Sequence, residues 1–307
     1  MRASTPVTAA TAVPESPAGP EDLGRGSGSR RGRQTGREGP HPLARLLRPL
    51  GVIVVVVLVV FFIGPILWVG WGSMQEGGGL SGANYDRLVN YGAGLWTYLA
   101  NTGLVVLVTV VGSLAVSIFA GYAFARLRFP GKNLLFVGIL AILMVPHTSL
   151  LIPLYIWLDR MGLGNSLVGV GLVMVMYQMP FSVFMMRNSF EGVPRELEEA
   201  ALIDGCTPRG ALRRVVLPGV LPGLVTVALF AFLASWNEFV TPLILLSDGD
   251  LYTLPLALVS LVQGDWGMID FGALQAGVVV SAAPCVALFF FLQRAFVSGF
   301  TQGAVKG

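Results

Sequence analysis

The sequence carries little charge. Only 12% of its 307 residues are Asp, Glu, Lys or Arg, whereas 54% are hydrophobic, and the mean hydropathy is +0.72. Soluble domains contain about a quarter charged residues, so half of that share indicates that lipid surrounds much of the chain. Backbone groups inside a bilayer must satisfy their own hydrogen bonds. The composition therefore predicts an all-α membrane protein.

Residues that perform chemistry are also scarce. Cys206 and Cys285 are too far apart in the sequence for a metal-ligand pair and too few for a disulfide framework. The only histidines, His41 and His147, have no cysteine or carboxylate at ligand spacing. The pattern Gly-x4-Gly-Lys-Ser/Thr of a nucleotide-binding loop does not occur. We therefore expect no catalytic site, no metal site and no bound cofactor in this chain.

Six apolar stretches are long enough to cross a bilayer core, which takes about 20 helical residues. They cover approximately residues 50–72, 98–125, 134–157, 167–186, 220–246 and 274–297. A further apolar run, 251–262, is too short to span and is interpreted as an outer loop or an interfacial segment. The first stretch is too long for a cleaved signal peptide, and no small-residue cleavage site follows it. The sequence thus predicts six transmembrane helices.

The distribution of Lys and Arg predicts the orientation, because positive residues collect in cytoplasmic loops. With the N-terminus in the cytoplasm, eighteen of the 20 Lys and Arg residues lie inside, and only Arg87 and Arg160 lie outside. The bias remains when the basic N-terminal residues are left out. Both termini are therefore predicted to be cytoplasmic.

Residues 1–48 are rich in Pro, Gly, Ser, Thr and Arg, with few large apolar residues. Such a segment buries too little surface to offset its ordering entropy. We predict a disordered, basic cytoplasmic tail at 1–48 and a transmembrane domain at 49–307. The arginines between Arg25 and Arg37 could contact anionic lipid headgroups or nucleic acid. No aromatic residues are interleaved with them, so we expect no nucleic-acid partner and interpret the tail as fixing the topology.

The only long polar segment inside the predicted domain is 188–219, between the fourth and fifth stretches. Pro194 suits the first position of a helix, where its missing donor costs nothing. Gly205 fits the left-handed position that follows a helix end. Three glutamates lie early in this helix, where they complement its dipole: Glu196, Glu198 and Glu199.

The same segment contains a second helix signal and a face of small residues. Thr207 followed by Pro208 predicts a cap and the first residue of another helix. Four residues of the first helix follow the spacing i, i+3, i+4 and i+7: Leu197, Ala200, Ala201 and Asp204. Small side chains let another surface approach closely. The segment either connects two spans along the membrane surface or docks on a partner, and its length favours docking.

This polar segment resembles the EAA loop of binding-protein-dependent ABC importer permeases. The family pattern is Glu-Ala-Ala, three residues, Gly, and further on a hydrophobic residue followed by Pro. Asp204 before the glycine also fits. The positions that match the pattern are Glu199, Ala200, Ala201, Gly205, Leu217 and Pro218.

The resemblance extends from about residue 95 to the end of the transmembrane domain. Further similar stretches are Ala120–Arg126 with Phe129–Gly131, Met144–Pro146, and Trp236–Phe239. The ending Gly303–Gly307 is similar to that of the carbohydrate-uptake branch, which includes the MalG-type permeases of maltose systems.

The resemblance implies a type I ABC importer permease fold in the bacterial cytoplasmic membrane, and a sugar or oligosaccharide as substrate. It implies that the EAA loop is a coupling helix in a cleft of the cytoplasmic ATPase, with Glu199 as a polar anchor and Gly205 permitting the turn. The implied partners are a second homologous permease, two ATPase subunits that bind the ATP, and an extracellular solute-binding protein. The chain itself would not be an enzyme.

Glu238 is the only carboxylate inside a predicted span. Burying it in hydrocarbon costs several kcal/mol, so it should face a cavity, a partner or the bundle interior. Trp236, Asn237 and Glu238 therefore have two interpretations. They line the translocation path, where an aromatic face and polar groups contact a sugar, or they form an inter-helix hydrogen-bond cluster.

Three alternatives to a sugar importer remain at the level of sequence. One is an ABC importer for another solute, such as a polyamine or phosphate. Another is an ion-coupled secondary transporter, which would require several intramembrane charges and a repeated fold. The third is a membrane-embedded enzyme, which would need a cluster of His, Asp or Cys at bilayer depth.

Overall fold

The computed structural model describes residues 42–263 and 269–304, and these residues are mostly helical. The helices in the first half are α1 (Pro42–Gly72), α2 (Ala83–Val89), α3 (Leu95–Arg126), α4 (Lys132–Ala141), α5 (His147–Arg160) and α6 (Leu167–Glu191). Those that follow are α7 (Arg195–Ile203), α8 (Pro208–Ala211), α9 (Leu217–Gly219), α10 (Leu221–Trp236), α11 (Val240–Leu245), α12 (Leu254–Gln263) and α13 (Phe271–Ala304). A π-helical turn, Leu212–Val216, joins α8 to α9.

The chain divides into two units, 1–57 and 58–307, and the boundary falls inside α1. This helix begins at Pro42, ahead of the predicted boundary between tail and domain at residue 49. The predicted disorder of residues 1–41 lies outside the described residues, as do the last three residues of the Gly303–Gly307 ending.

Four helical segments are long and apolar enough to cross a membrane. They agree with the first, second, fourth and sixth predicted spans. Two helix pairs pass the same test only as bent units, so the described residues contain four helices that are long and apolar enough to span, or up to six if each bent pair is one span. The four straight segments are Pro49–Gly72, Leu95–Arg126, Leu167–Glu191 and Phe271–Phe291.

The third predicted span is wrong as a continuous helix. Its two halves, Lys132–Met144 and His147–Arg160, meet at an angle of 102°. The break lies at Val145 and Pro146, both with extended backbone, at ψ 124° and 120° respectively. Proline disfavours helical conformation in the residue before it, so the local sequence explains the bend.

The fifth predicted span is also wrong in continuing to residue 246. The structure ends α10 at Trp236 and begins α11 at Val240. Pro242 has no N–H to offer the carbonyl of residue 238, so an uninterrupted helix would lose a hydrogen bond there. Before this break, α10 is bent by 74° relative to the preceding segment Pro208–Gly219.

The centre of unit 58–307 is a close packing of α3 along α6, with α10 against both. A Cβ atom built on Gly121 would lie 2.6 Å from the Cβ of Met186, and one built on Gly171 would lie 2.7 Å from the side chain of Val108. Carbon atoms in ordinary contact are about 3.5–4.0 Å apart. Glycine at these two positions therefore permits the close approach of the helices.

Two segments outside the predicted spans have regular structure. β1 (Gln75–Glu76) pairs antiparallel with β2 (Gly79–Leu80), and the two glycines between them have φ of +57° and +86°, which suits a type I′ hairpin turn. Residues 254–263 form α12, which packs against α13 and α3. Leu254 and Leu256 are almost fully buried, so this short apolar run covers protein.

Candidate functional site

The polar segment folds as two short helices joined by a turn, as the sequence predicts. Gly205 lies in the turn after α7 with φ of +87°. The Thr207 Oγ1 accepts a hydrogen bond from the Gly210 N–H at 3.1 Å, and Pro208 is the first residue of α8. The prediction for Pro194 is wrong by one residue, because it precedes α7 with extended ψ of 135° and caps the helix.

The helix α7 has one buried face and one exposed face. Ala201 is buried, and the Glu198 side chain is only 15% exposed. The predicted face of small residues is thus divided, since Leu197, Ala200 and Asp204 are exposed while Ala201 is not. Helical spacing places four exposed residues on the side opposite Ala201 and Glu198, here called the outward face: Glu196, Glu199, Ala200 and Ile203.

Ile203 is the most exposed large hydrophobic residue of α7, at 86%. An isolated exposed aliphatic residue is common on proteins. Here it shares the outward face with Glu196 and Glu199, two carboxylates without an ion pair among the described residues. Leu197 and Leu202 are exposed on either side. The outward face therefore combines apolar surface with negative charge.

The buried face of α7 is joined to the end of α3 through Glu198. The Tyr122 hydroxyl donates a hydrogen bond to Glu198 Oε1, and Arg126 Nε lies 3.3 Å from Glu198 Oε2. The Arg126 side chain is 6% exposed and also donates from Nη2 to the carbonyl of Val193 at 2.7 Å. Tyr122 and Arg126 are four residues apart and so share one face of α3. These three side chains, Tyr122, Arg126 and Glu198, are called the clamp.

Further contacts hold the beginning of α7 in place. Arg195 donates from Nη2 to the carbonyl of Ala125 at 3.4 Å. The ring of Tyr122 lies edge-on to Phe190 at 5.6 Å between centroids. Phe190 and Val193 belong to a buried cluster beneath the loop. The polar segment is therefore fixed to α3 and α6 at its first helix.

Sequence reasoning missed the clamp. It assigned Glu198 to the helix dipole and Arg126 to the cytoplasmic charge bias. The spacing of Tyr122 and Arg126 is a signal that the two share a face, but no local pattern indicates a partner about 70 residues further along the chain.

Two of the other predicted loop residues, Leu217 and Pro218, lie in α9. Leu217 is half-buried against the cluster beneath the loop, and Pro218 is exposed. Glu199, Ala200, Asp204 and Gly205 are exposed, with Glu199 unpaired among the described residues.

The residues Trp236, Asn237 and Glu238 lie at the break between α10 and α11. Trp236 is 6% exposed and donates from Nε1 to the carbonyl of Ser281 at 2.9 Å, which is the inter-helix hydrogen bond of the second interpretation. Asn237 is exposed and its Nδ2 donates to the carbonyl of Leu233. These two neighbours therefore differ in their access to a solute.

The Glu238 carboxylate caps the following helix. Its Oε1 accepts hydrogen bonds from the backbone N–H and the hydroxyl of Thr241, at 2.8 and 3.0 Å. Asn237 lies on a surface groove with Phe239, Ser281 and Cys285. Because the 16 residues of α10 span about 24 Å, this region and α7 are two separate sites. Among the described residues, no group of three or more His, Cys, Asp or Glu is arranged to hold a metal ion.

Comparison with known proteins identifies the family. Residues 113–302, which include the polar segment and residues 236–238, match the family described as binding-protein-dependent transport system inner membrane component. The chain belongs to this family. Such a component serves transport, so the alternatives of an ion-coupled secondary transporter and a membrane enzyme are set aside.

Two relatives illustrate the similarity to other inner membrane components. The chain is 39% identical over 214 residues to the diacetylchitobiose uptake system permease protein DasC of Streptomyces coelicolor, covering 69% of this chain and 76% of that one. It is 40% identical over 216 residues to the arabinooligosaccharides transport system permease protein AraQ of Halalkalibacterium halodurans, covering 70% and 76%.

The fold is also that of a solved transporter. A chain of a bacterial ABC transporter involved in the import of the acidic polysaccharide alginate matches with a TM-score of 0.74. The match covers 84% of this chain and 99% of the other at 21% identity. This similarity supports the type I permease architecture expected from the sequence.

Proposed function

We propose that this chain is the transmembrane permease subunit of a bacterial ABC importer for a carbohydrate. The names of its relatives support this substrate class, since they include permeases for diacetylchitobiose, arabinooligosaccharides and trehalose. None of these three relatives is named as a polyamine or phosphate permease. The partners in this proposal are a second homologous permease, two cytoplasmic ATPase subunits that bind the ATP, and an extracellular solute-binding protein.

The proposed topology has six spans in the cytoplasmic membrane, with both termini in the cytoplasm. The bent pair Lys132–Met144 and His147–Arg160 then serves as the third span, which is supported by its combined length and apolar composition. The fifth span is α10, and the segment Pro208–Gly219 before it stays in the cytoplasm as part of the polar segment. This topology places α7 and the clamp on the cytoplasmic side, together with most of the Lys and Arg residues.

The outward face of α7 is the proposed docking surface for an ATPase subunit. The observation that carries the proposal is its exposure: Ile203 projects into solvent, while the clamp holds the opposite face against α3. Energetically important interface residues lie in well-packed, fully desolvated pockets that are ringed by contacts excluding water. Ile203 would fill a pocket of the ATPase, and Glu199 would pair with a positive group beside it.

For the translocation path we propose Asn237 and Glu238 rather than the indole of Trp236. Asn237 is exposed beside a groove, so its amide can reach a passing sugar. Trp236 contributes to this site by fixing the break between α10 and α11 through its bond to Ser281.

The proposal is tested by reconstituting the chain in proteoliposomes with its candidate second permease, ATPase and binding protein. Uptake of diacetylchitobiose, arabinotriose and trehalose is compared with uptake of spermidine and phosphate. We expect ATP-dependent uptake of a carbohydrate, and stimulation of ATP hydrolysis by the loaded binding protein. Uptake of spermidine or phosphate instead, or uptake by the chain alone along an ion gradient, would contradict the proposal.

The docking surface is tested in the same assay with Ile203→Asp and Glu199→Ala. Loss of a central interface residue of this kind costs about 2 kcal/mol or more, so Ile203→Asp should weaken ATPase binding by at least about tenfold. The matched control is Leu127→Asp, which changes an aliphatic residue that is 50% exposed and lies between α3 and α4, outside α7. Normal ATPase binding by Ile203→Asp would disprove docking at this face.

A further inference from the structure

One carboxylate of α7 is bound within this chain rather than facing outward. Glu198 is surrounded by Tyr122 and Arg126, with the Glu198 and Arg126 side chains only 15% and 6% exposed. Exposed ion pairs hold two groups loosely because water competes for both partners. A buried pair with additional hydrogen bonds has a defined geometry, and removing one partner leaves an uncompensated charge. The clamp therefore fixes the orientation of α7 relative to α3.

The other ion pairs of the described residues do not have this property. Arg187 and Glu191 lie on the same helix, four residues apart. Arg87 pairs with Glu76 and Asp270 while remaining 42% exposed. Within the described part of the chain, the clamp is thus the buried ion pair that joins α7 to a spanning helix.

The helix α3 extends from the clamp to the other end of the domain. Its 32 residues form one unbroken helix of about 48 Å. Near its beginning, Asn101 donates from Nδ2 to the carbonyls of Asp250 and Tyr252 at 2.8 and 3.0 Å. The Thr102 hydroxyl accepts from the Leu254 N–H at 2.8 Å. Hydrogen bonds thus join both ends of α3 to loop segments.

We propose that Tyr122, Arg126 and Glu198 are positioning residues that make α7 and α3 move as one body during transport. When the ATPase displaces α7, α3 transmits this movement to the segment 250–254. This inference rests on the proposed function, because it requires that the ATPase acts on α7. It assigns coupling to Glu198 and docking to the outward face with Glu199 and Ile203.

The inference is tested by distance measurement in the complete reconstituted transporter. Spin labels are attached at Asp204→Cys, directly after the last residue of α7, and at Phe119→Cys on α3, both of them exposed positions, after Cys206→Ser and Cys285→Ser. With the clamp intact, we expect one narrow distance that is the same without nucleotide and with ATP plus vanadate. With Glu198→Gln, the distance should broaden and change when ATP and vanadate are added.

The second measurement is the amount of carbohydrate taken up per ATP hydrolysed. A coupling free energy of ordinary size corresponds to about 5- to 150-fold, so Glu198→Gln should lower uptake per ATP by at least about fivefold while ATP hydrolysis continues. A role in folding alone would lower uptake and hydrolysis together. The matched control is Glu191→Gln, which removes a carboxylate whose ion-pair partner, Arg187, lies on the same helix α6, and it should behave as the unchanged chain.

Should Glu198→Gln fail to assemble, Tyr122→Phe makes the same test more gently, since it removes only the hydroxyl that binds Glu198. If the assembled variant keeps one unchanged distance and the same uptake per ATP, the proposed coupling role of the clamp is wrong. If Ile203→Asp abolishes ATPase binding in those same experiments, the proposed function survives and only the clamp fails. If Ile203→Asp also binds normally, the docking surface fails with it.

Discussion

Replacement of Gly121 by alanine tests the closest approach between α3 and α6. The new Cβ would lie 2.6 Å from the Cβ of Met186 and 3.0 Å from two backbone atoms of residues 186 and 187. Contacts of this kind are normally about 3.5 Å or longer. Backbone atoms cannot rotate away, so the two helices must separate by about 1 Å or distort.

The expected cost follows from these distances and a matched substitution. Overpacking a close-packed interior costs about 1–3 kcal/mol. Alanine also favours a helix interior over glycine by about 1 kcal/mol, which partly conceals that cost. Gly103 lies on the same helix, and a Cβ built on it has nothing within 4 Å. Gly103→Ala therefore has the stabilising gain in helix propensity but no steric clash. The free energy of unfolding of Gly121→Ala should therefore be lower than that of Gly103→Ala by about 1–3 kcal/mol.

The assay is unfolding of the purified chain in mixed micelles by a denaturing detergent, followed by circular dichroism. Both alanine variants are measured beside the unchanged chain under identical conditions. Equal unfolding free energies for the two variants would show that α3 and α6 do not approach as closely at Gly121 as the structure has them. The argument from the helix contact would then be refuted.

Two further predictions concern single hydrogen bonds. Trp236→Phe removes the donor to the carbonyl of Ser281 and should lower the free energy of unfolding by about 1 kcal/mol. Trp96→Phe, at a side chain 73% exposed, should lower it little, and equal losses would argue against the bond. Thr207→Ala removes the cap that accepts from the Gly210 N–H and should destabilise the start of α8 locally by about 0.5–2 kcal/mol. Faster amide hydrogen exchange confined to residues 208–216 checks this second prediction, and unchanged exchange would contradict it.

Much of the fold follows from local sequence. The bounds of four spans were predicted to within a few residues. The length of apolar helix needed to cross a bilayer can be read from each segment separately. The turn at Gly205 and the cap at Thr207 were also predictable, since both depend on residues within one helical turn. The resemblance to a permease family was readable from the polar segment for the same reason.

The two broken spans show where hydropathy is insufficient. A hydropathy pattern sums apolar character and is insensitive to backbone breaks, so residues 134–157 and 220–246 were each predicted as one helix. The structure bends the first at Pro146 and ends α10 at Trp236. Both breaks have local causes in proline chemistry, but tertiary contacts such as the Trp236 bond to Ser281 decide where the helix stops.

The sequence by itself determined that this is a helical membrane protein with an exposed polar segment like that of the permease family, because hydropathy, caps and charge bias are properties of neighbouring residues. Only the tertiary structure decided which glutamate of α7 faces outward and which is buried. Glu198 and Glu199 are adjacent and chemically identical, and a helix turns by about 100° from one to the next. The two glutamates differ because Tyr122 and Arg126 of α3 bind Glu198 and not Glu199.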